Sequence, residues 1–559
     1  MARGAWRSVV PLAALLAATA ARAQPAPALQ PAMHTVCTVT VNSPDEQQAL
    51  RRHLDPTRWR FVELVERGRS DWLEAACRSR VRCDVLVISG HYDGGHQFFS
   101  DRIDVREHLP VAELERASCT ASCAGLFAQL KEVHLYGCNT LNPQPQTSVG
   151  AEALRSLVRE RAGTGGDASE LPRVEAGPGE SSRERMRQIF PGVPAIYGFA
   201  SMAPLGPMAA ESLERWLRNG GRAEVGRGRA SPTLLAAFGH HSFTAVRGLE
   251  SDEPLARSRA HMCALSDDDR PLAQRVTAAH RLLQRDVTGV GVHLDRIQRM
   301  LAEVPEGVRG AGEVARAFAR IAEDGAARSR WLASTRETYN PTLRLRLIDV
   351  AAEAGWFTRD ERRAERMRLL SELLERRDIG VGEVELACTL NRDHELEGLF
   401  NRRARDSDGG SHGDTLAQAA VRACLGSADA HRRVLAALAG GDAADTTTAQ
   451  AYLRQRPIGD GDELRRVAQA VMRMPPSDAQ VRALGTLARH YLSDRELLQE
   501  LARLFAGTPS ADVQAAVAGI LIRADRQALD VPALLELLQR HRLGAQPIVD
   551  ALVRRLQAG

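Results

Sequence analysis

The sequence predicts two regions of different fold class, an α/β sandwich with a mostly parallel sheet and then an all-α region. Between about residues 34 and 220, short β-branched runs alternate with longer amphipathic runs, which is typical of a parallel α/β sheet. From about residue 230 onward, strand patterns nearly vanish and helical periods of apolar residues dominate. We therefore predict an α/β domain over 34–225 and a helical region over 226–559.

Five runs in the first region have the composition of strands. The run over 83–89 is almost continuously apolar, as in a strand that is covered on both faces. The run over 132–136 follows it, and the other predicted strands lie at 35–41, 59–65 and 194–199. Amphipathic stretches between these runs predict the helices that cover the sheet.

Helix start signals recur at a regular distance in the second region. Ser477, Ser493 with Glu496 three residues later, and Ser510 open helices about every 16 or 17 residues. One helical pair then takes about 33 residues, a pitch that is typical of HEAT-like helical repeats. The pattern holds from about residue 460 to the end. Between 230 and 460 it predicts helices without a register, so a helical bundle is the alternative.

The N-terminus has the order of a secretory signal peptide. Arg3 and Arg7 precede an apolar run over 9–20, and small residues follow it. We expect a signal peptide over 1–23 and a Pro- and Ala-rich linker over 24–33, and therefore a periplasmic or secreted protein. The run is too short to span a bilayer, and no other stretch reaches about 18 uninterrupted apolar residues, so we predict no membrane span.

Composition and charge disfavour a nucleic-acid partner. Apolar residues make up 44% of the chain and charged residues 26%, as in ordinary soluble globular proteins. The net charge is only +4, from 74 basic and 70 acidic side chains. The basic residues are scattered among acidic ones, so no strong field draws the chain onto nucleic acid.

The chain has nine cysteines, an odd number for a compartment in which disulfides form. At least one thiol is therefore left over or pairs between chains. Cys77 with Cys83, and Cys119 with Cys123, are candidates for local bridges. Spacing alone does not decide the connectivity.

A histidine and a cysteine follow two neighbouring predicted strands at the point where each strand ends. The third strand runs into Ser-Gly-His at 89–91, and the fourth into Gly-Cys-Asn at 137–139. Because reacting groups gather beyond the carboxyl ends of parallel strands, we expect His91 and Cys138 to lie side by side. An imidazole can take the thiol proton and later protonate a leaving group. The pattern therefore predicts nucleophilic thiol catalysis.

The surrounding residues suggest the rest of such a site. Adjacent glycines let backbone N–H groups near Tyr92 and Cys138 approach a substrate carbonyl, so we predict an oxyanion hole there. A lone cysteine in an exported protein is more often half of a disulfide or a core residue, but the position of Cys138 opposite His91 favours catalysis. Ligands as scattered as His91, His96 and Cys138 are a weak zinc signal, and we expect no metal and no cofactor.

These two motifs resemble the His and Cys motifs of the caspase-like cysteine peptidases, which include caspases, gingipains, separase and the bacterial CHAT domains. The resemblance covers 34–220 and extends to the order of strands and helices before the histidine. It implies a caspase-like α/β/α sandwich in which His91 is the general base and Cys138 the nucleophile. It also implies that the fifth strand end, with Ser201, borders the specificity pocket. Asp93 is a further candidate there, for selecting a basic side chain.

One position departs from the family pattern. In most caspase-like peptidases a glycine directly follows the catalytic histidine, whereas here Tyr92 does and the glycines come later, at 94 and 95. Together with the signal peptide and the helical repeats, the resemblance leads us to expect an exported cysteine endopeptidase that cleaves a protein or peptide, with repeats that present or recognise a protein partner. One alternative is a catalytically degenerate scaffold whose repeats bind protein partners. Another is a peptide- or peptidoglycan-modifying transferase, in which an amine resolves the acyl-enzyme.

A run rich in Gly, Ser, Glu and Pro lies over 161–183. It cannot bury enough apolar surface to order itself, so we predict a mobile loop inside the domain. In caspase-like enzymes a linker in this region is often cut during activation, which implies cleavage here at Arg173 or Arg183. A mature protein that runs as one uncut chain under reducing, denaturing conditions would contradict this.

Overall fold

A computed structural model describes most of the chain in twelve stretches. These are residues 33–65, 73–92, 97–100, 108–144, 180–239, 241–285, 290–338, 340–375, 379–392, 394–397, 415–490 and 492–557. The predicted signal peptide, nearly all of the predicted linker, Asp93, His96 and the greater part of the predicted loop over 161–183, with Arg173, lie outside these stretches.

The N-terminal part is built on a six-stranded sheet with the order β2-β1-β3-β7-β8-β9. The first five strands in this order are parallel, and β9 is antiparallel to β8. A small antiparallel sheet, β4-β5-β6, follows β3 in the chain. The strands are β1 (His34–Thr40), β2 (Trp59–Glu63), β3 (Val85–Ser89), β4 (His91–Tyr92), β5 (Gln97–Phe99), β6 (His108–Pro110), β7 (Glu132–Tyr136), β8 (Ala195–Phe199) and β9 (Phe243–Val246).

Helices cover both faces of the six-stranded sheet, so the inner strands β3, β7 and β8 are buried at every position. Alternate residues of β3 face opposite layers: Leu86 and Ile88 pack with one apolar cluster, and Val85 and Val87 with the other. The first layer contains α2 (Glu74–Arg78), α3 (Val111–Cys119) and α4 (Ser182–Ile189). The second contains α1 (Asp45–His53), α5 (Gly206–Arg218) and α6 (Pro232–Ala237). The predicted α/β class with a mostly parallel sheet is confirmed.

The α/β part extends beyond the predicted boundary at residue 225. Strand β9 pairs with β8 from Phe243↔Phe199 to Val246↔Ile196 and completes the sheet. Just after it, Gly248 N donates to Val193 O, at 2.8 Å. A sequence boundary drawn where strand patterns fade misses this strand, because it is only four residues long and comes after a helix.

The C-terminal part consists of helices, as predicted. They are α7 (Ala256–Ser266), α8 (Leu272–Leu283), α9 (Leu294–Ala302), α10 (Glu306–Arg309), α11 (Gly312–Ala322), α12 (Gly325–Glu337), α13 (Pro341–Glu353), α14 (Arg359–Glu375), α15 (Val381–Leu390), α16 (Leu416–Cys424), α17 (Ala428–Leu438), α18 (Ala443–Gln455), α19 (Gly461–Met472), α20 (Asp478–Leu487), α21 (Arg495–Gly507), α22 (Ala511–Leu521), α23 (Val531–His541) and α24 (Pro547–Gln557). None of the helices in the described stretches has both the length and the apolar composition needed to cross a membrane.

Two of the three predicted helix starts have the expected cap. The Ser477 side chain accepts a hydrogen bond from Gln480 N, and Ser510 caps α22 in the same way. For α21 the prediction of Ser493 is wrong by one residue, because the Asp494 carboxylate accepts from Leu497 N. Both residue types cap well, so the sequence alone does not separate two adjacent candidates.

Four disulfides use eight of the nine cysteines. They join Cys37 to Cys83, Cys77 to Cys123, Cys119 to Cys263 and Cys388 to Cys424. Both local bridges proposed from the sequence are therefore wrong, since each partner bonds to a distant cysteine instead. Four disulfides are typical of proteins that fold in an oxidising compartment. Only Cys138 is in no disulfide.

Candidate active site

The ends of β3 and β7 bring His91 and Cys138 to the same edge of the sheet. The two strands are adjacent and parallel, and Ser89 lies opposite Tyr136 in their register. Just past the strands, Gly90 N donates to Tyr136 O, at 3.2 Å. A Cβ at Gly137 would lie 2.7 Å from Gly90 O and 3.0 Å from Tyr92 Cβ. The backbone that precedes Cys138 thus touches the residues on either side of His91.

His91 lies where the chain leaves β3 and enters the small antiparallel sheet. In β4 it is paired with Phe99 of β5, and the centroids of the two rings lie 5.6 Å apart. The residue is half-buried, and its Nε2 atom is shielded from solvent. The small sheet therefore fixes the position of the imidazole at the edge of the main sheet.

Cys138 lies in a tight turn against the segment that follows β8. The residue after it, Asn139, has a left-handed φ of 61°, a conformation that asparagine tolerates better than most residues. Asn139 N donates to Ser201 O at 2.6 Å, and Ala203 N donates to the Cys138 Sγ atom at 3.3 Å. A backbone donor at the sulfur stabilises a thiolate more than a neutral thiol, because hydrogen bonds to charged acceptors are stronger.

Thr140 holds the same turn from inside. Its hydroxyl is buried, donates to Gly137 O at 3.1 Å and accepts from Phe199 N at 3.1 Å. A Cβ at Gly198 would lie 2.5 Å from this hydroxyl oxygen, so β8 approaches the turn closely. The Thr140 hydroxyl, two residues after Cys138, thus joins the end of β7 to the end of β8.

Tyr92, the departure from the family pattern, has a structural explanation. Its ring is buried, packs 4.8 Å from the ring of Phe98 and belongs to the apolar cluster on one face of the sheet. Because the side chain is directed into the core, a residue larger than glycine fits after His91. The predicted oxyanion hole at the backbone of Tyr92 and Cys138 stays a prediction.

Of the two predicted pocket residues, Ser201 lies beside the turn of Cys138. Its carbonyl accepts from Asn139 N, and its own N–H donates to the Ser242 hydroxyl at 2.7 Å. Ser242, just before β9, escaped the sequence analysis because it lies beyond the predicted boundary. Asp93 lies outside the described residues.

Sequence reasoning also missed a buried polar cluster at the strand ends that precede His91 and Cys138. Glu46 of α1 is 3% exposed, Ser89 2% and Tyr136 4%. Burial, more than any other cause, raises the pKa of Glu46 to about 8. The same cause, followed by Glu46 itself, raises the pKa of Tyr136 well above its ordinary value. Polar residues at the ends of apolar strands were the available signal for Ser89 and Tyr136.

No candidate metal centre is found within the part of the chain that the structure describes. No group of three or more His, Cys, Asp or Glu side chains there is arranged to hold an ion. His96, one of the three residues weighed as zinc ligands, lies outside that part. Among the described residues, Cys138 supplies a thiol and His91 an imidazole at this edge of the sheet.

Comparisons with known proteins identify no relative of the chain. No protein-family model matches it, and neither do any curated protein or solved structure. The geometry of His91, Cys138 and their neighbours is therefore the basis for assigning a function.

Proposed function

We propose that the α/β part is a caspase-like cysteine peptidase domain, with Cys138 as nucleophile and His91 as general base. The observation that carries the proposal is the close contact between the two strand ends that hold these residues, at Gly90, Tyr92 and Gly137. It is supported by the disulfides, since eight cysteines are oxidised and Cys138 is not. A thiol beside an imidazole at the carboxyl edge of a parallel sheet is suited to acyl transfer.

The proposed reaction has two halves. His91 takes the proton of Cys138, and the thiolate sulfur attacks the carbonyl carbon of a peptide bond. Backbone N–H groups at Tyr92 and Cys138 stabilise the resulting oxyanion. As the C–N bond breaks, His91 gives the proton to the leaving amine and a thioester remains on Cys138. Water, deprotonated by His91, then attacks the thioester, which releases the acid and restores the thiol.

The rest of the molecule suits an exported peptidase. The oxidised cysteines fit a periplasmic or secreted protein, in agreement with the signal peptide expected over residues 1–23. The substrate would be a protein or peptide, and the helical part, as HEAT-like repeats, would bind a protein partner. Neither role requires a cofactor, because the thiol and the imidazole supply the chemistry.

The test is labelling of the purified mature protein with a peptide-based, thiol-directed electrophile. We expect one adduct, at Cys138, located by mass spectrometry. We expect no adduct in Cys138→Ala and a rate lowered by at least about 100-fold in His91→Ala, within the usual range for loss of a general base. Labelling at the same rate with and without His91 would contradict the proposal.

The second candidate is a non-catalytic scaffold. It is favoured by Tyr92, which stands where most caspase-like peptidases have glycine. A scaffold would show slow, His91-independent labelling and would bind partners through the helices. The transferase alternative would label like a peptidase, but aminolysis product would exceed hydrolysis product when an amine acceptor is present.

A further inference from the structure

We infer that Ser242 is a positioning residue for the proposed reaction, and that the group it positions is the Ala203 N–H at the sulfur of Cys138. The inference rests on the proposed function, because it concerns how Cys138 becomes a thiolate before it attacks. Ser242 acts on the sulfur through the chain between β8 and α5, residues 200–205, which we call the β8–α5 segment.

The β8–α5 segment contacts the turn of Cys138 at two points. Ala203 N donates to the Cys138 Sγ atom at 3.3 Å. Ser201 O accepts from Asn139 N, the next residue along the turn, at 2.6 Å. The segment therefore meets both the reacting atom and the backbone beside it.

A donor at the sulfur acts mainly on the charged state. Hydrogen bonds to ionised acceptors are about twice as strong as those between neutral groups, so the Ala203 N–H favours the thiolate over the thiol. When His91 takes the thiol proton, the sulfur gains the negative charge that this N–H stabilises. When the sulfur bonds to the carbonyl carbon, the charge passes to the carbonyl oxygen. The N–H therefore raises the share of Cys138 that is thiolate, which is the attacking form.

Ser242 holds the start of the segment from the neighbouring chain before β9. Its hydroxyl accepts from Ser201 N at 2.7 Å, and the two hydroxyl oxygens lie 2.5 Å apart. Its carbonyl accepts from Ala200 N at 2.9 Å, which extends the pairing of β8 with β9. Both backbone polar groups of Ser201 are thus bonded, the N–H to Ser242 and the carbonyl to Asn139. The chain is fixed two residues before Ala203.

The other end of the segment is held without Ser242. A Cβ at Gly206 would lie 2.8 Å from the Ser43 Cβ, so the start of α5 lies close against the loop before α1. Leu205 packs against the apolar cluster of the helical part. Ala203 lies between these two anchors, and loss of the Ser242 hydroxyl frees only the first. We therefore expect Ser242→Ala to loosen the donor and to leave the domain folded.

The experiment measures how fast iodoacetamide, a small uncharged probe, labels Cys138 between about pH 5 and about pH 9. Only Cys138 has a thiol to label, because the other cysteines are oxidised. The pH midpoint of the rate reports the thiolate population, whereas a general structural defect changes the rate without moving the midpoint. The full mature chain is used as wild type, Ser242→Ala and Ser242→Thr, which keeps the hydroxyl. The matched control is Thr244→Ala, which removes a hydroxyl from β9 itself.

We expect the midpoint in Ser242→Ala to lie about one pH unit above that of the wild type. Labelling then slows about tenfold at pH values below both midpoints, and the rate at high pH stays within about twofold. Ser242→Thr and Thr244→Ala should keep the midpoint of the wild type. An unchanged midpoint in Ser242→Ala, or an equal rise in Thr244→Ala, would overturn the inference.

A second pair of variants tests the donor directly. Ala203→Pro has no backbone N–H at this position, and Ala203→Gly keeps it. We expect only the proline variant to raise the midpoint, by at least as much as Ser242→Ala does; equal midpoints for the two would refute a role for the N–H. Failure of the proposed function has a different signature, since His91→Ala would then react with the peptide electrophile at the wild-type rate, whatever the midpoints of the Ser242 variants.

Discussion

The turn that carries Cys138 depends on close backbone contacts that leave no room for added atoms. Gly137 touches Gly90 and Tyr92, and Gly198 touches Thr140. The hydroxyl of Thr140 bonds both β7 and β8 ends. These contacts hold the segment of Cys138 against the segment of His91, and they join residues that are far apart in the sequence.

We therefore expect Gly137→Ala to be harmful. Its Cβ would lie 2.7 Å from a carbonyl oxygen, so the backbone has to shift, at about 1–3 kcal/mol of unfolding free energy. Labelling of Cys138 should slow by at least about tenfold, because misplaced reacting groups lose rate steeply. The control is Gly125→Ala, which meets no atom within 4 Å and should stay within about 0.5 kcal/mol. If the two variants have similar unfolding temperatures and labelling rates, the close approach of Gly137 to Gly90 does not constrain the turn and the prediction is wrong.

The raised pKa of Glu46 predicts how the free energy of unfolding changes with pH. Burial raises the pKa of Glu46 from 4.5 to about 8, so between these pH values the folded protein keeps Glu46 largely protonated. The unfolded chain releases this proton, and the contribution of Glu46 to stability therefore falls by about 1.4 kcal/mol per pH unit up to the folded pKa. Glu46→Gln removes this loss. Unfolding midpoints compared at about pH 5 and about pH 8 should show the variant gaining on the wild type. A gap that does not change with pH would argue against a neutral Glu46.

At the scale of elements, a buried ion cluster joins α3 and α4 to α9 of the helical part. Glu115 of α3 is fully buried and bonds to Arg185, Arg296 and Arg299, the last at 3.4 Å. Arg296 also bonds to Glu180, at 2.7 Å. Burial alone raises the pKa of Glu115, but the three arginines together hold it well below its ordinary value. The carboxylate is thus charged in the folded protein at neutral pH.

Removing this charge should destabilise the contact between the two parts. Glu115→Gln removes a buried counter-ion shared by Arg185, Arg296 and Arg299, and breaking a buried ion pair typically costs about 3–5 kcal/mol. Glu113→Gln on the same helix breaks a partly exposed pair with Arg116, worth at most about 1 kcal/mol. The difference between the variants should shrink as pH falls below about 4.5, where the unfolded carboxyl group is protonated. Thermal unfolding checks both statements, and equal losses at pH 7 would rule out a stabilising cluster.

At the scale of the whole molecule, the helical part is attached to the α/β part at both of its ends. At its start, Cys263 of α7 is bonded to Cys119, and Arg259 donates to Ser118 O at 3.1 Å. At its end, α24 packs on α5, where Arg554 pairs with Glu211. Because α3 and α5 cover opposite faces of the sheet, the helices connect both outer layers.

This arrangement changes the outcome expected from limited proteolysis. A stable fragment that ends near residue 225 should not accumulate, because it would lack β9 and leave the edge of β8 unpaired. Cuts after β9 and before Cys263 should give fragments that stay together without reductant and separate with it, since the Cys119–Cys263 bridge spans the junction. Electrophoresis with and without reductant, with fragment masses, tests this. A stable unreduced fragment ending near 225 would contradict the structure.

The sequence by itself determined the features that depend on local patterns. Strand and helix periods are local, and parallel strands end at a common edge. The class of the fold and the placement of His91 and Cys138 at one edge of the sheet were therefore predictable. Only the tertiary structure decided the features that join distant segments. These are the cysteine pairs, 36 to 144 residues apart, the pairing of β9 with β8, and the burial of Glu46 against Ser89 and Tyr136. Such contacts depend on how the helical layers pack on the sheet, and the local periodicity of the sequence does not predict that packing.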